Sequence, residues 1–306
     1  ELNREQRREK RVGKTFWGFP AENTLDRATA MTPNLMYERL DEFGIDFAMV
    51  YPTFGLLISS IPDAELRCAF ARACNRYYSE VMLDHRDRME PVATIPMTTP
   101  EEAIAELDFA VGERGLKAVT MAGAIPRRLP GVGRTPGAIY VDTVAHDSLY
   151  DYDPVWRRCL ELGVSPTFHG VGYGWGARGS SSNYVFNHVG HFAAAQEATC
   201  RAIVLGGVAR RFPDLKFSFL EGGVAWAATL CADLIGHFEK RNVESVHQYD
   251  PRRVDRQLLT DLMRRHGDSR VVERLDRVEH SLKLGSAIDP DEIDDFEAAG
   301  IRSPDD

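Results

Sequence analysis

The stretch Leu149–Gly170, LYDYDPVWRRCLELGVSPTFHG, contains a predicted helix followed by a predicted strand. Asp153 and Pro154 are typical of a helix start, because a negative charge suits the positive end of a helix and proline fits its first turn. Gly163 is typical of a helix end. The apolar run Val164–His169 then predicts a strand that ends in a polar side chain.

The same strand-then-helix unit recurs on both sides of this stretch. The predicted strands are Ile45–Thr53, Pro91–Met97, Leu116–Met121, Val164–His169 and Leu215–Glu221. The predicted helices are Asp63–Arg86, Pro100–Gly115 with Thr98 or Thr99 as its cap, Asp153–Gly163, Gly190–Phe212 and Val224–Phe238. In the first of these helices, Leu66, Phe70 and Cys74 form one apolar stripe.

The alternation of strands and helices indicates the fold class. Strands that are apolar throughout and joined by helices predict an α/β fold with a parallel sheet. Polar residues and long loops gather at the carboxyl ends of the strands, which favours a TIM-barrel-like (β/α)8 arrangement. A doubly wound open sheet shares this feature and is the alternative. We predict an N-terminal arm over residues 1–34, a barrel body over 35–242 and a charged helical segment over 243–306.

The composition argues against several classes of function. The formal net charge of −9 disfavours a nucleic-acid partner, because phosphate binding needs clustered Lys and Arg. No apolar run approaches the ~20 residues of a membrane span, and the N-terminus is not a signal peptide. The five cysteines are odd in number and form no CxxC pair, which suits reduced thiols in a cytoplasmic protein.

Two predicted strands end in side chains that can do chemistry. His169 is a candidate metal ligand, because neutral imidazole is the commonest one; the alternative is a histidine satisfied by a backbone carbonyl. Burial of the Glu221 carboxylate at a strand end is costly unless it is paired or metal-bound. We predict Glu221 as a general base or metal ligand; the alternative is a carboxylate that caps the next helix or pairs with an arginine.

The motif NHVGHF places His188 and His191 three residues apart at the start of the long predicted helix. This spacing predicts that both rings lie on one helix face. The pair is a candidate for stabilising charge that develops on a substrate. A pair that stiffens the loop is the alternative.

Two loops and one strand end add further candidates. In GVGYGWGARGSSSNY, Tyr173 and Trp175 can stack on a planar substrate and Arg178 can bind a carboxylate; packing on the rim is the alternative. Tyr51, near the end of the first predicted strand, is also a substrate-binding candidate. The long loop Gly123–Asp151 contains GVGRTPG, whose glycines do not follow a strand and open a helix, so we predict an ordinary loop there.

Long stretches of the chain carry a family resemblance. They are ENTLDRATAMTPNLMYERLDEFGIDFAMVYPT (22–53), LYDYDPVWRRCLELGVSPTFHG (149–170) and NHVGHFAAAQEATCRAIVLGGVARRFPDLKFSFLEGGVAWAATLCADLIGHFEKRN (187–242). These resemble the amidohydrolase-related family of the amidohydrolase superfamily, in the branch that includes aminocarboxymuconate-semialdehyde decarboxylases. The resemblance implies a distorted TIM barrel with one divalent metal ion, zinc or else manganese, at the mouth.

The resemblance also implies a set of metal ligands, which are an HxH or ExH pair on the first strand, a His on the fifth and an Asp on the eighth. His169 matches the His of the fifth strand. Residues 1–34 contain no histidine, and no Asp matches the one on the eighth strand. We therefore expect this sequence to lack the first strand and the last strand or strands of the family.

A second departure concerns the sixth strand, which in the decarboxylase relatives ends in His-Gly-Gly with a catalytic imidazole. The matching positions here are Glu221, Gly222 and Gly223. A carboxylate handles a different proton from imidazole near neutral pH. The substitution favours a hydrolase over a decarboxylase.

We therefore predict a metal-dependent hydrolase that acts on a small carboxylate-bearing or aromatic substrate through metal-activated water. His169 is the predicted metal ligand, and Glu221, His188 and His191 are the predicted catalytic residues. The alternatives are a non-oxidative decarboxylase of the same superfamily and a catalytically inert, truncated member that acts as a scaffold. Neither nucleic acid nor membrane is an expected partner. The charged tail Asp250–Asp306 is a candidate contact of a homodimer.

Overall fold

The computed structural model describes residues 2–10, 12–13, 22–129, 131, 139–170, 172, 175–277 and 295–306. The chain forms two compact units, Glu1–Ala227 and Ala228–Asp306. The predicted divisions after residues 34 and 242 remain a prediction.

A five-stranded parallel sheet is the centre of the first unit. The strands of this unit are β1 (Ala48–Val50), β2 (Met89–Ile95), β3 (Ala118–Met121), β4 (Ile125–Arg128), β5 (Ile139–Asp142), β6 (Pro166–Phe168) and β7 (Ser218–Phe219). The sheet order is β1-β2-β3-β6-β7, and every neighbouring pair is parallel. The spatial order follows the chain order, as in a (β/α) barrel, whereas a doubly wound sheet reverses direction at a switch point. The α/β prediction is confirmed.

Helices connect these strands. The helices of the first unit are α1 (Arg4–Lys10), α2 (Thr24–Met31), α3 (Pro33–Arg39), α4 (Ala64–Val81), α5 (Pro100–Leu107), α6 (Asp153–Leu162), α7 (Tyr184–His188), α8 (His191–Leu205) and α9 (Val208–Arg211), and α10 (Ala225–Arg241) begins in it. The predicted caps Thr99 and Gly163 are confirmed: Thr99 accepts from the backbone of Glu102, and Gly163 ends α6 with φ +67°. The predicted helix Gly190–Phe212 is divided, because Gly207 takes φ +69° between α8 and α9.

The apolar stripe predicted on α4 is not its buried face. Leu66 is exposed, and the buried residues are Arg67, Ala71, Asn75 and Ser79. This face can be polar because its buried side chains form ion pairs and hydrogen bonds with neighbouring residues. The Arg67 guanidinium donates to both carboxylate oxygens of Glu102, at 2.9 and 2.5 Å.

The predicted long loop Gly123–Asp151 contains the antiparallel hairpin β4–β5, which the sequence analysis missed. Arg127 fixes this hairpin beside β2: its guanidinium pairs with Asp142 and donates to the Thr98 carbonyl and the Tyr152 hydroxyl, both at 2.9 Å. Of the motif GVGRTPG, only Gly131 lies within the described residues.

The two faces of the sheet have different chemistry. Ala93, Val119 and Phe168 belong to the hydrophobic core between sheet and helices, around the fully buried Trp156. Adjacent strand residues point to opposite faces, so Thr94, Thr120 and Thr167, which are register partners, form a row of hydroxyls on the other face.

The second unit is helical over its described residues. Its elements are the greater part of α10, then α11 (Val243–Val246), α12 (Arg256–His266), α13 (Ser269–Val272) and α14 (Asp295–Ala298), with 3-10 turns at His247–Tyr249 and Pro251–Arg253. Beyond Arg241 the described part contains no strand. Among the described helices of the whole chain, none has the length and apolar character needed to cross a membrane.

Candidate active site at the carboxyl ends of the strands

His169 and Glu221 lie at the carboxyl ends of two neighbouring strands. His169 is the first residue after β6, and its backbone N–H donates to the Met121 carbonyl at 3.3 Å. Glu221 follows β7 by two residues, and the N–H of Leu220 donates to the Phe168 carbonyl at 3.0 Å. Because parallel strands end at one edge of the sheet, this pairing brings the two side chains together.

The two side chains form a close pair. His169 Nε2 lies 3.1 Å from Glu221 Oε2. The imidazole is nearly enclosed, with 13% of its side chain exposed, whereas 48% of the Glu221 side chain is exposed. Burial lowers the pKa of His169 below its ordinary value, and the neighbouring carboxylate opposes that shift. The pair therefore has one sheltered member and one member that a small molecule can reach.

The backbone at Glu221 is strained. Its φ is +60°, in the left-handed region that disfavours any residue with a Cβ. Gly223 is also left-handed, with φ +66°, and a Cβ added to Gly222 would lie 2.6 Å from Trp226 Nε1. Both glycines are therefore required by the turn. Strained conformations of this kind cluster at functional sites, where the surrounding structure enforces them.

Tyr51 belongs to the same edge of the sheet. It follows β1, is half-buried, and its hydroxyl donates to Thr167 Oγ1 at 3.2 Å. Thr167 in turn donates to the Val119 carbonyl at 2.7 Å. Since Thr167 precedes His169 by two residues on one strand face, Tyr51 lies on the face of the sheet that carries the site.

His188 and His191 form a second pair. Their ring centroids are 5.0 Å apart with an interplanar angle of 31°, which agrees with the predicted proximity. They do not share one helix, however, because the left-handed Gly190 separates the end of α7 from the start of α8. The ring of Phe192 contacts both His191 and His169, at centroid distances of 4.0 and 5.6 Å.

The predicted loop candidates lie beside this second pair. Trp175 and Arg178 are joined by a turn in which the Arg178 N–H donates to the Trp175 carbonyl at 2.9 Å. Arg178 is exposed, and its Nη1 donates to the Val189 carbonyl at 3.4 Å. Gly172, packed against Trp175, donates its N–H to the His191 carbonyl at 2.9 Å. Tyr173 lies outside the described residues.

A protein-family comparison bears directly on this arrangement. The family model described as amidohydrolase matches residues 35–272, which is most of the chain. The chain belongs to the amidohydrolase family. The predicted family resemblance is therefore confirmed.

Two solved structures with TM-scores of 0.50 or more agree with the fold of this amidohydrolase, and a third is reported for its similarity only. An amidohydrolase of Mycobacterium avium subsp. paratuberculosis K-10 is 25% identical, with 71% of this chain and 54% of that chain covered and a TM-score of 0.54. IDCase of Metarhizium anisopliae in apo form is 17% identical, with 71% and 51% covered and a TM-score of 0.50. A dihydroxybenzoic acid decarboxylase of Polaromonas sp. JS666, solved with bound manganese and 2-nitroresorcinol, is 19% identical, with 60% and 53% covered and a TM-score of 0.47. The chain spans about half the length of the solved structures that it matches.

The superfamily uses a divalent metal ion, and two residues of this amidohydrolase carry atoms that can coordinate one. His169 and Glu221 offer an imidazole nitrogen and a carboxylate oxygen, the donor types that zinc and manganese accept. Metal sites of this kind draw at least three ligands from the protein. Within the described ranges, no group of three or more His, Cys, Asp or Glu side chains is placed to hold a metal ion. The two donor atoms are of types that such an ion accepts, but two ligands do not complete a metal site.

Sequence reasoning missed two residues that shape this amidohydrolase site. Phe192 bridges the two histidine groups, and Gln196, also on α8, donates to two backbone carbonyls at the strand ends. Phe192 is the last residue of the motif NHVGHF, in which only the two histidines were chosen, and Gln196 belongs to no motif. A polar Gln196 directly after three alanines on a predicted helix was the signal available, because a buried amide needs partners.

Proposed function

We propose that this amidohydrolase is a hydrolase in which Glu221 and His169 form the acid–base pair. The observation that carries the proposal is their 3.1 Å contact at the carboxyl ends of parallel strands, with the carboxylate half-exposed and the imidazole enclosed. Catalytic groups of (β/α) barrels occupy this edge of the sheet. The strained backbone at Glu221 supports the same assignment.

The roles of Glu221 and His169 follow from how far each side chain is exposed to solvent. Glu221, the reachable member, accepts a proton from the water whose oxygen attacks the acyl carbon of the substrate. As the bond to the leaving group breaks, the protonated carboxyl returns that proton to the leaving nitrogen or oxygen. The His169 ring, with Nε2 at 3.1 Å from Glu221 Oε2, sets the direction of the carboxylate. Its lowered pKa favours the neutral ring, which has one unprotonated nitrogen.

Substrate recognition is assigned to residues around the pair. Tyr51 is assigned to contact with a small substrate, because its hydroxyl bonds to Thr167 on the face of the sheet that carries the hydroxyl row. Arg178 and His188 are assigned to a substrate carboxylate, because the exposed guanidinium lies at the start of α8 near the histidine pair. Trp175 is assigned to an aromatic ring. His191 is buried and is assigned to supporting His188 by ring stacking.

A divalent metal, zinc or else manganese, is part of the proposal. His169 and Glu221 would be two of its ligands. When bound, such an ion lowers the pKa of a coordinated water and polarises a carbonyl. The pair that we assign to proton transfer is also the pair with the right donor atoms, which is why metal content is the first property to measure.

The cellular setting is proposed from the thiols. All five cysteines lie in the described part of the chain and are free, and burial raises the pKa of Cys159 to about 12. Free thiols suit a reducing compartment, so we place the enzyme in the cytoplasm. A homodimer contact through the charged C-terminal segment is retained as part of the proposal.

Two measurements on the full 306-residue chain test the proposed function. The first is elemental analysis after reconstitution with Zn²⁺ or Mn²⁺, on the wild type and on His169→Ala. We expect near-stoichiometric metal that disappears in the variant. The second is hydrolysis of a panel of small aromatic and carboxylate-bearing esters, amides and lactones by the wild type, Glu221→Gln and Glu197→Gln.

Glu197 is a matched control, because it is a partly exposed carboxylate on α8 that pairs with Arg201 instead of a histidine. We expect Glu221→Gln to lose about 10²- to 10⁴-fold in rate, as general bases contribute, and Glu197→Gln to keep the wild-type rate. Hydrolysis by Glu221→Gln at the wild-type rate contradicts the assignment. Release of CO₂ without hydrolysis identifies the decarboxylase alternative, and neither metal nor turnover identifies the inert scaffold.

A further inference from the structure

Gln196 connects the two strand ends that carry the candidate pair. The residue lies on α8 and is buried. Its side-chain Nε2 donates to the carbonyl oxygens of Phe168, at 3.2 Å, and Leu220, at 2.9 Å. These two residues immediately precede His169 and Glu221. One amide group therefore holds the backbone on the amino side of both members of the pair.

This contact adds to the short ladder of backbone hydrogen bonds between β6 and β7. The registered pairing of β6 with β7 consists of Thr167 with Ser218 and Phe168 with Phe219. The amide of Gln196 adds a cross-link at the carboxyl end of this ladder. The two hydrogens of an amide nitrogen can satisfy two carbonyls at once, which no apolar side chain of the same size can do.

Gln196 also packs against the turn that follows Glu221. A Cβ added to Gly222 would lie 3.1 Å from Gln196 Cγ and 2.6 Å from Trp226 Nε1. The strained Glu221 is thus held on both sides, by the amide contact at Leu220 and by the close packing at Gly222. A left-handed residue with a Cβ persists only when its surroundings enforce it.

We propose that Gln196 is a positioning residue that sets the contact between His169 and Glu221. It acts through the backbone carbonyls and touches neither reacting group. This inference rests on the proposed function of the pair, and it extends that function by naming what holds the pair in place. Loss of the amide frees the two strand ends to separate, and the 3.1 Å contact between His169 and Glu221 is lost with little change elsewhere in the sheet.

The ring nitrogens of His169 report this contact, because the Glu221 carboxylate lies 3.1 Å from Nε2. We would record NMR spectra of the full chain labelled with ¹⁵N-histidine, in metal-free buffer at neutral pH, and assign His169 as the signal that is missing in His169→Gln. The contact signal is the change in the His169 ring ¹⁵N shifts on Glu221→Gln, which removes the carboxylate charge and is made in the wild type and in each test variant. The test variants are Gln196→Met, which keeps the length of the side chain, and Gln196→Glu, which keeps its shape and replaces the donor by oxygen.

Asn75 supplies a matched control. It is also a buried amide, and its Nδ2 donates at 2.9 Å to the carbonyl of Thr94 on β2, away from β6 and β7. Asn75→Leu removes a comparable amide contact between a helix and the same sheet. Comparison of the thermal midpoints of all variants separates a general loss of stability from a local effect on the pair.

We expect the contact signal of His169 to be lost in both Gln196 variants and retained in Asn75→Leu. Retention of the signal in a folded Gln196 variant overturns the positioning role and leaves the pair itself intact. Loss in Asn75→Leu as well also overturns it, because the effect is then a general one. The absence of the signal from the wild type overturns the contact on which both this inference and the proposed function depend.

Discussion

Glu221 has a reactive side chain, and its backbone lies in the left-handed region that disfavours any residue with a Cβ. A left-handed conformation costs an L-residue about 1–2 kcal/mol relative to glycine. At most positions alanine is at least as stable as glycine, because glycine loses more conformational entropy on folding. Here the order is expected to reverse. Glu221→Gly should have a free energy of unfolding about 1 kcal/mol higher than Glu221→Ala, measured by urea denaturation.

The comparison of the alanine and glycine variants isolates the backbone, because both lack the carboxylate that contacts His169. Glu197, inside α8, is the control position. There the alanine variant should be more stable than the glycine variant by about 1 kcal/mol, which is the ordinary helix preference. The same order at both positions would contradict the strain at Glu221.

The burial of His191 predicts that the folded protein becomes less stable in mild acid. Its ring is 2% exposed and, among the described residues, neither ring nitrogen has a hydrogen-bond partner. Burial lowers its pKa below the ordinary value of 6.5, and His188 and Arg178 lower it further. A base with a lowered pKa in the folded state binds its proton more readily when unfolded. Above pH 6.5 the ring is neutral in both states and adds no pH dependence, and the free energy of unfolding falls as the pH drops from 6.5 towards the lowered value.

We therefore expect the free energy of unfolding of His191→Phe to fall less steeply than that of the wild type below about pH 6.5. The slope contributed by one proton is at most about 1.4 kcal/mol per pH unit. Unfolding curves at several pH values between neutrality and mild acid measure it. His169 also has a lowered pKa and contributes a slope of the same sign, but it is present in both proteins. Parallel stability profiles for the two proteins would count against this role of His191.

Site residues could be predicted where a strand end and a reactive side chain coincide in the sequence. His169 and Glu221 satisfied that rule, and the structure brings them into contact. Gln196 did not, because its importance depends on which carbonyls lie within reach of its amide, and that is a property of the packed helix and sheet. The sequence also placed His188 and His191 on one helix, since it does not reveal that Gly190 is left-handed.

At the scale of elements, the contact between α4 and α5 depends on a buried ion pair. The Arg67 side chain is 4% exposed, and its guanidinium meets Glu102 in a bidentate geometry while also donating to the Ile61 carbonyl at 2.7 Å. Removal of one partner from a buried pair leaves an uncompensated charge, at a cost of about 3–5 kcal/mol. We expect Arg67→Met to lower the free energy of unfolding by that amount.

The double variant Arg67→Met/Glu102→Met should be more stable than Arg67→Met alone, because it leaves no unpaired carboxylate at the helix contact. Chemical denaturation of the two single variants and the double variant gives the coupling energy. Arg158→Met is the control, since its pair with Asp108 is much more exposed than the Arg67 pair, and pairs at the surface contribute about 0–1 kcal/mol. Equal effects at Arg67 and Arg158 would show that burial does not strengthen the first pair.

The elements themselves were predictable where apolar runs and helix caps gave a clear signal. All five predicted strands of the parallel sheet are present, and Asp63, Thr99 and Gly163 act as helix-terminal residues. The buried face of α4 was not predictable from hydrophobic periodicity, because an ion pair and an amide occupy it instead of apolar side chains. The hairpin β4–β5 was missed because β4 contains the charged Arg127, whose interactions form only in the folded chain.

For the whole molecule, the sheet order predicts where the backbone is most protected. Every residue of β2 and β3 is buried, and each of these strands has a neighbour on both sides. Among the described residues, β1 and β7 each have one strand neighbour, and α12 in the second unit buries no residue. Opening free energies range from about zero in exposed elements to the global value in a core.

Hydrogen–deuterium exchange with peptide resolution tests this gradient. We expect the slowest exchange in peptides that cover Met89–Ile95 and Ala118–Met121, with protection approaching that of global unfolding. Peptides from Arg256–His266 should exchange several orders of magnitude faster, because opening that helix exposes little additional apolar surface. Trp156→Phe, which replaces the fully buried indole of the core, should speed exchange in β2 and β3 by lowering global stability and leave α12 unchanged. If α12 matched β2 in protection, the two units would open as one cooperative structure, and the assignment of stability to the centre of the sheet would be wrong.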